Sequence, residues 1–214
     1  MSRKLVPREF FDRPAEQVAP DLLGCVLEHE TAEGLVAVEI SEVEAYAGEA
    51  DPASHAYRGR TARNGVMYGP PGHAYVYFTY GMHFCVNLVC LPEGTPHAVL
   101  LRAGRVIAGE ELARSRRAAA VTARDLARGP ARLCQALDID RDLDGADACV
   151  ATSPLRIRVA SDATGRTIRS GPRIGISRAA EVPWRFWLEG DPTVSTFRPH
   201  VPRRRKPDAT PPAA

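Results

Sequence analysis

Between Leu35 and Tyr46 every second side chain is apolar and then, with the period unbroken, acidic. Val36, Val38 and Ile40 are followed by Glu42 and Glu44, and Tyr46 closes the run. A period of two belongs to an extended strand whose alternate residues share a face. All six residues are therefore predicted to share one face, with the strand leaving a core and entering a cleft at its acidic end. A carboxylate two residues from an aromatic ring can set a general base beside a stacking platform. The plainer alternative is a pair of solvated charges at a strand end, and the strand alone does not choose between the two.

Around it the chain reads as strands first and helices afterwards. Asp12, Pro14 and Glu16 mark a helix start and Gly24 a stop. Cys25 to Glu30 is predicted to pair with Leu35 to Tyr46 across a Glu33-Gly34 turn, and a polar loop runs from Ala47 to about Gly72. Ala74 to Tyr80 and His83 to Leu91 are expected to form a hairpin around Gly81-Met82, with glycine supplying a positive φ. His97 to Ala103 is a further strand. Helices are predicted over Val106 to Arg117, Thr122 to Arg128 and Pro130 to Leu137. Later strands are predicted over Leu155 to Val159, Arg169 to Ser177 and Phe186 to Leu188. This order favours an α+β fold over a βαβ repeat. The expected form is one domain over residues 1–198: a curved, largely antiparallel β-sheet with flanking helices and a protruding β-hairpin. Residues 199–214, basic and rich in Pro and Ala, are expected to be a disordered tail.

Composition narrows the function classes. With 214 residues, 44% of them hydrophobic, the chain can bury one sizeable core. No stretch approaches the roughly 18 apolar residues of a membrane span, and the first residues do not read as a secretory signal. A cytoplasmic monomer without a membrane partner is the expectation. Cys25, Cys85, Cys90, Cys134 and Cys149 are odd in number and scattered, without C-x-x-C or His pairs at ligand spacing. Reduced, mostly buried thiols are expected, with no metal and no cofactor.

The formal net charge is +2, and the tail from Arg198 onward holds five basic residues against Asp208, or +4, leaving 2 − 4 = −2 for the rest. The total therefore does not argue for nucleic acid, but one window does. From Pro52 to Pro92 there is no Asp or Glu, while Arg58, Arg60, Arg63, His55, His73 and His83 alternate with seven of the 14 aromatic residues. Cations interleaved with aromatics suit phosphate contact and base stacking; an aromatic β core with a few surface arginines is the plainer reading. Tyr80 at the hairpin tip is placed to wedge into a base stack, and Tyr77, facing the other way, to wall a pocket. Asn87 and Arg102 interrupt apolar runs, and a polar group on a buried strand needs a partner.

Taken together, Glu42-Val43-Glu44-Ala45-Tyr46, His55, the run Tyr75 to Met82, Asn87 and Leu100-Leu101-Arg102 resemble the alkyladenine (3-methyladenine) DNA glycosylase family. Gly129 to Leu137 and Pro172-Arg173-Ile174-Gly175-Ile176 match later segments, and the resemblance covers roughly Leu5 to Phe197. It implies that Glu44 is the catalytic base and that Arg102 helps hold its water. Tyr46, His55 and Tyr77 would enclose the flipped base. Tyr80 would intercalate with Met82 beside it, and Asn87 would crowd the amino group of a normal guanine.

The partner so implied is double-stranded DNA carrying damaged purines such as 3-methyladenine, 7-methylguanine or hypoxanthine. The only lysines are Lys4 and Lys206, at the chain ends, so no amine is expected near the pocket for Schiff-base chemistry. A hydrolytic enzyme without lyase activity is the expectation; a non-catalytic module for distorted DNA is the alternative. A zinc deaminase would need H-x-E and P-C-x-x-C, and neither occurs.

Overall fold

The computed structural model describes residues 3–160 and 165–197; the tail expected from residue 199 lies outside them. Two short helices open the chain, α1 (Arg8–Phe11) and α2 (Ala15–Asp21), and α2 buries Ala15, Val18 and Ala19 against the sheet. Strands β1 (Val26–Thr31) and β2 (Gly34–Tyr46) follow as an antiparallel pair across the expected turn. The hairpin β3 (Ala74–Thr79) and β4 (His83–Cys90) comes next, then β5 (His97–Ala108), α3 (Glu110–Arg116) and α4 (Pro130–Leu137). Three short strands end it: β6 (Leu155–Arg158), β7 (Ile168–Gly171) and β8 (Arg185–Leu188).

All pairings are antiparallel, in the order β3-β4-β5-β2-β1-β6. The far edge of β2 is shared: its first half pairs with β1, and Glu42 to Glu44 pair with β8, which carries β7. The result is a single α+β domain with a curled antiparallel sheet. On one face α2, α3 and α4 cover Val36, Val38, Ile40, Val76, Val86, Leu88, Val99 and Leu101. α4 carries Leu133, Cys134, Ala136 and Leu137 inward, a stripe of helical spacing, and begins with the expected proline. The other face is only partly covered, by Ala56, Met67 and Tyr68 of the loop after β2 packing on Tyr75, Val89 and Ala98.

The central ladder departs from strict alternation, and this corrects the expected face of Glu42, Glu44 and Tyr46. Ile40 pairs with Gly104 and Glu42 with Ala103, so Ser41 is an extra residue on β2; Val43 then pairs with Leu101, so Arg102 is an extra residue on β5. Each bulge reverses the inside-outside parity of its strand. Val43 and Ala45 therefore join the core face of Val36, Val38 and Ile40, and Glu44 and Tyr46 turn to the opposite, cleft side. Gly104 permits the close crossing, because a Cβ there would run into the Glu39 carbonyl.

Other boundaries also moved. β5 continues to Ala108 because Val106 and Ala108 find ladder partners in Val38 and Ala37, where a helix was expected from Val106. Ladder pairing overrode local helical spacing. The helix expected over Thr122 to Arg128 is a single 3₁₀ turn, Ala123–Asp125. The strand expected over Arg169 to Ser177 stops at Gly171, and the segment beyond it folds over the cleft. The hairpin turn is centred on Tyr80-Gly81 rather than Gly81-Met82. Met82 N–H donates to the Thr79 carbonyl at 3.2 Å, and Tyr80 and Gly81 both take positive φ, 52° and 68°.

Candidate active site

The reversed parity gathers side chains from four strands on one face. Cross-strand neighbours share a face, and the pairs Tyr75–Asn87, Tyr77–Cys85, Asn87–Leu100, Glu44–Leu100 and Tyr46–Ala98 run across β3, β4, β5 and β2. Above them, the loop after β2 and the segment after β7 close a cavity of about 630 Å³. Glu44, Tyr46, His55, Tyr77 and Arg102 all line it.

Glu44 is wholly buried, and its carboxylate is held on every side. Oε1 accepts the backbone N–H of Ile174 at 2.7 Å and lies 3.1 Å from Arg102 Nη1, while Oε2 accepts the Tyr46 hydroxyl at 2.8 Å. Burying one carboxylate without partners would cost several kcal/mol; here a cation and two donors offset that cost. Burial, and then the negative charge of Glu44, push the Tyr46 hydroxyl well above its ordinary pKa, so it donates at any physiological pH.

Arg102 is itself divided between two carboxylates. Its Nε donates to Glu42 Oε1 at 3.0 Å, and its Nη1 faces Glu44. Glu42, also wholly buried, accepts in addition from Arg185 Nε at 2.6 Å, from the Ser195 hydroxyl at 2.8 Å and from the Ser195 N–H at 2.7 Å. Burial alone would raise the pKa of Glu42, but Arg102 and Arg185 outweigh it and hold the carboxyl below its ordinary range.

The aromatic wall is equally fixed. The His55 and Tyr77 rings meet edge to face at 4.5 Å between centroids, and Tyr75 stands 5.6 Å from Tyr77. His55 Nδ1 and the Tyr75 hydroxyl are 3.0 Å apart. Burial, with the Arg63 charge nearby, lowers the pKa of His55, so the ring facing the cavity is neutral at pH 7. Arg63 donates to the Phe78 carbonyl at 3.2 Å and lies 6.0 Å from the Tyr77 ring centre, and Arg60 stacks on Tyr68 at 5.7 Å. Arg58 lines the cavity together with Arg178.

Three expected site residues stand apart from this wall or at its rim. Tyr80 borders the cavity at the hairpin tip and is 83% exposed, and Met82 beside it is 67% exposed but does not line the cavity. Asn87 is buried, donates its amide to the Tyr75 carbonyl at 3.0 Å and does not line the cavity either.

Tyr80 thus stands exposed at the rim of an aromatic-walled cavity whose lining includes the buried Glu44. A family model described as methylpurine-DNA glycosylase (MPG) matches residues 9–192. This chain belongs to that DNA repair family. It is 58% identical to a Streptomyces avermitilis protein over 95% of this chain and 97% of the relative. It is 50% identical to one from Frankia casuarinae over 92% and 93%, and 47% identical to one from Methanocella arvoryzae over 91% and 98%. All three relatives are provisionally named 3-methyladenine DNA glycosylase.

In this glycosylase family member, several residues that build the site carry little local sequence signature. The sequence pattern marks Glu42 only as one of two strand-end carboxylates and assigns no role to Arg173, Arg185, Ser195 or the Ile174 N–H. The one available signal was that Arg173 and Arg185 stand beside apolar or aromatic residues, where a charge needs a buried partner.

Proposed function

We propose that this chain is a monofunctional DNA glycosylase. It would flip an alkylated or deaminated purine, such as 3-methyladenine, 7-methylguanine or hypoxanthine, out of duplex DNA and hydrolyse its bond to the sugar. The observation that carries the reading is the placement of Glu44: a buried carboxylate, oriented by Arg102, Tyr46 and the Ile174 N–H, at the floor of an aromatic-walled cavity.

Flipping costs a few kcal/mol, and less for a damaged or mispaired base. Tyr80, exposed at the tip of a hairpin in a stretch free of carboxylates, would fill the gap left in the stack. The extruded base would lie between Tyr77 on one side and Tyr46 and His55 on the other. A base alkylated on a ring nitrogen carries positive charge, which favours stacking on tyrosine rings and makes it a better leaving group.

For hydrolysis, Glu44 takes a proton from water as the water oxygen bonds to C1′ of the sugar. The electron pair of the glycosidic bond leaves with the base. The same carboxylate stabilises positive charge developing on the sugar, as in other glycoside hydrolyses. Arg102 holds Glu44 in place, and Glu42 keeps Arg102 from turning. Backbone cleavage would need an amine nucleophile; the two lysines are at positions 4 and 206 of the sequence, and none of the described residues lining the cavity is a lysine. The product is an abasic site.

The test is incubation with duplexes carrying alkylated adenine, alkylated guanine or hypoxanthine, alongside a Glu44→Gln variant. Base release by the wild type, strand breaks only after alkali, and bound but intact DNA with the variant are expected. Tight binding to distorted DNA without release from any duplex would replace this reading with that of a binding module.

A further inference from the structure

Behind the Tyr46 ring lies a cation that the proposed reaction does not use. The guanidinium carbon of Arg173 is 4.7 Å from the Tyr46 ring centre and 5.4 Å from that of Trp184. Arg173 is buried and does not line the cavity, whereas Tyr46 does, so the cation sits on the ring face turned away from the pocket. Its Nη1 donates to Asp51 Oδ2 at 2.5 Å and to the Ala45 carbonyl at 3.0 Å, and Nη2 donates to Asp51 Oδ1 at 2.9 Å. Asp51 also accepts the N–H groups of Ala47 and Ala53.

A bidentate buried pair is a costly element for a small protein to keep, because replacing such a pair with apolar residues is often neutral or stabilising. Its position suggests what it does. One ring of the pocket is pressed from behind by a planar cation that cannot turn. A ring's π cloud attracts cations to either face. A cation held on the rear face draws that electron density toward itself and leaves the pocket face less attractive to a second positive charge. The pair also ties the loop that leads into His55 to the segment whose Ile174 N–H holds Glu44.

We propose that Arg173, paired with Asp51, is a positioning and specificity residue of the base pocket. It fixes Tyr46 from behind and reduces the pocket's preference for cationic over neutral purines, which keeps uncharged deaminated bases competitive as substrates. This inference rests on the reading that a flipped base stacks on Tyr46.

The test compares the wild type with Asp51→Asn/Arg173→Met, which removes both charges together and leaves neither buried alone. Single-turnover release is measured from duplexes carrying 7-methylguanine, a cationic base, and hypoxanthine, a neutral one, with circular dichroism confirming the fold. Both rates are expected to fall, hypoxanthine further, so that the 7-methylguanine to hypoxanthine ratio rises roughly 3-fold or more. A purely structural role lowers the two rates equally. A ratio unchanged within about twofold, or one that falls, overturns the proposal while leaving the glycosylase reading intact. A wild type that releases neither base sinks both. Should the double variant not fold, Asp51→Asn/Arg173→Gln, which restores an amide pair, carries the same comparison and the same criteria.

Discussion

The hydroxyl of Tyr46 donates to the carboxylate of Glu44 across 2.8 Å, although the two residues sit only two apart on the same strand. Side chains at i and i+2 of a flat strand stand about 7 Å apart at the backbone and seldom touch. The bulges at Ser41 and Arg102 turn both residues to the cleft side, and there the long tyrosine side chain reaches the carboxylate while Arg173 sits 4.7 Å from its ring centre. One tyrosine thereby orients the proposed base and, in the proposed reaction, would also offer its ring to the flipped purine.

That double role can be separated. Tyr46→Phe keeps the ring and removes the donor to Glu44. A hydrogen bond to a charged group is worth about 1.5 to 3 kcal/mol, so single-turnover base release is expected to fall roughly 10- to 100-fold. Affinity for a lesion duplex should change little. A fall in affinity with an unaltered rate would show that the hydroxyl serves binding rather than Glu44.

Glu42 governs stability as well as geometry. Glu42→Gln leaves Arg102 and Arg185 short of a buried counter-charge, and breaking such a pair costs about 3 to 5 kcal/mol. The pKa of Glu42 is lower in the folded chain than its ordinary value of 4.5. Its contribution is therefore fully present above that value and is lost as pH falls toward the folded pKa. Urea unfolding at pH 7 should show the wild type well above the variant, with the gap narrowing below about pH 4.5. A gap that stays constant into acid would mean Glu42 titrates no differently when folded.

Tyr80 offers the opposite pattern. It is 83% exposed and holds a φ of 52°, a region costly to every residue but glycine. Tyr80→Gly should therefore leave thermal stability unchanged or raise it by up to about 1 kcal/mol. Loss of a stacking side chain worth about 1 to 3 kcal/mol should weaken lesion-duplex binding roughly 5-fold or more. Unaltered binding would remove Tyr80 from the DNA interface.

The strands of the site were legible because their cues are local. The period of two over Leu35 to Tyr46 and the flanking turns located β2 within a residue, and the paired runs around Tyr80-Gly81 located the hairpin. The glycosylase family was legible too, since the spacing of Glu44, Tyr46, His55, Tyr77 and Arg102 is itself a sequence property. Where local signals competed with the sheet, the sheet won. Val106 to Ala108 extended β5 instead of opening a helix, and the residues after Gly171 left their strand pattern to cover the cleft.

Sequence by itself determined which side chains this protein can bring to bear: a carboxylate and a tyrosine two apart, aromatics interleaved with cations, and a hairpin with a large residue at its tip. The tertiary structure alone decided which way they face. A bulge depends on how two strands meet rather than on either strand's own period, so the side of the sheet occupied by Glu44 follows from its register with β5. The ion pairs that hold it are likewise set by the fold, because Glu42 meets Arg102 and Arg185, and Asp51 meets Arg173, across separations of 60, 143 and 122 residues. Burial makes each of those charges demand a partner, and only the folded chain says which one is within reach.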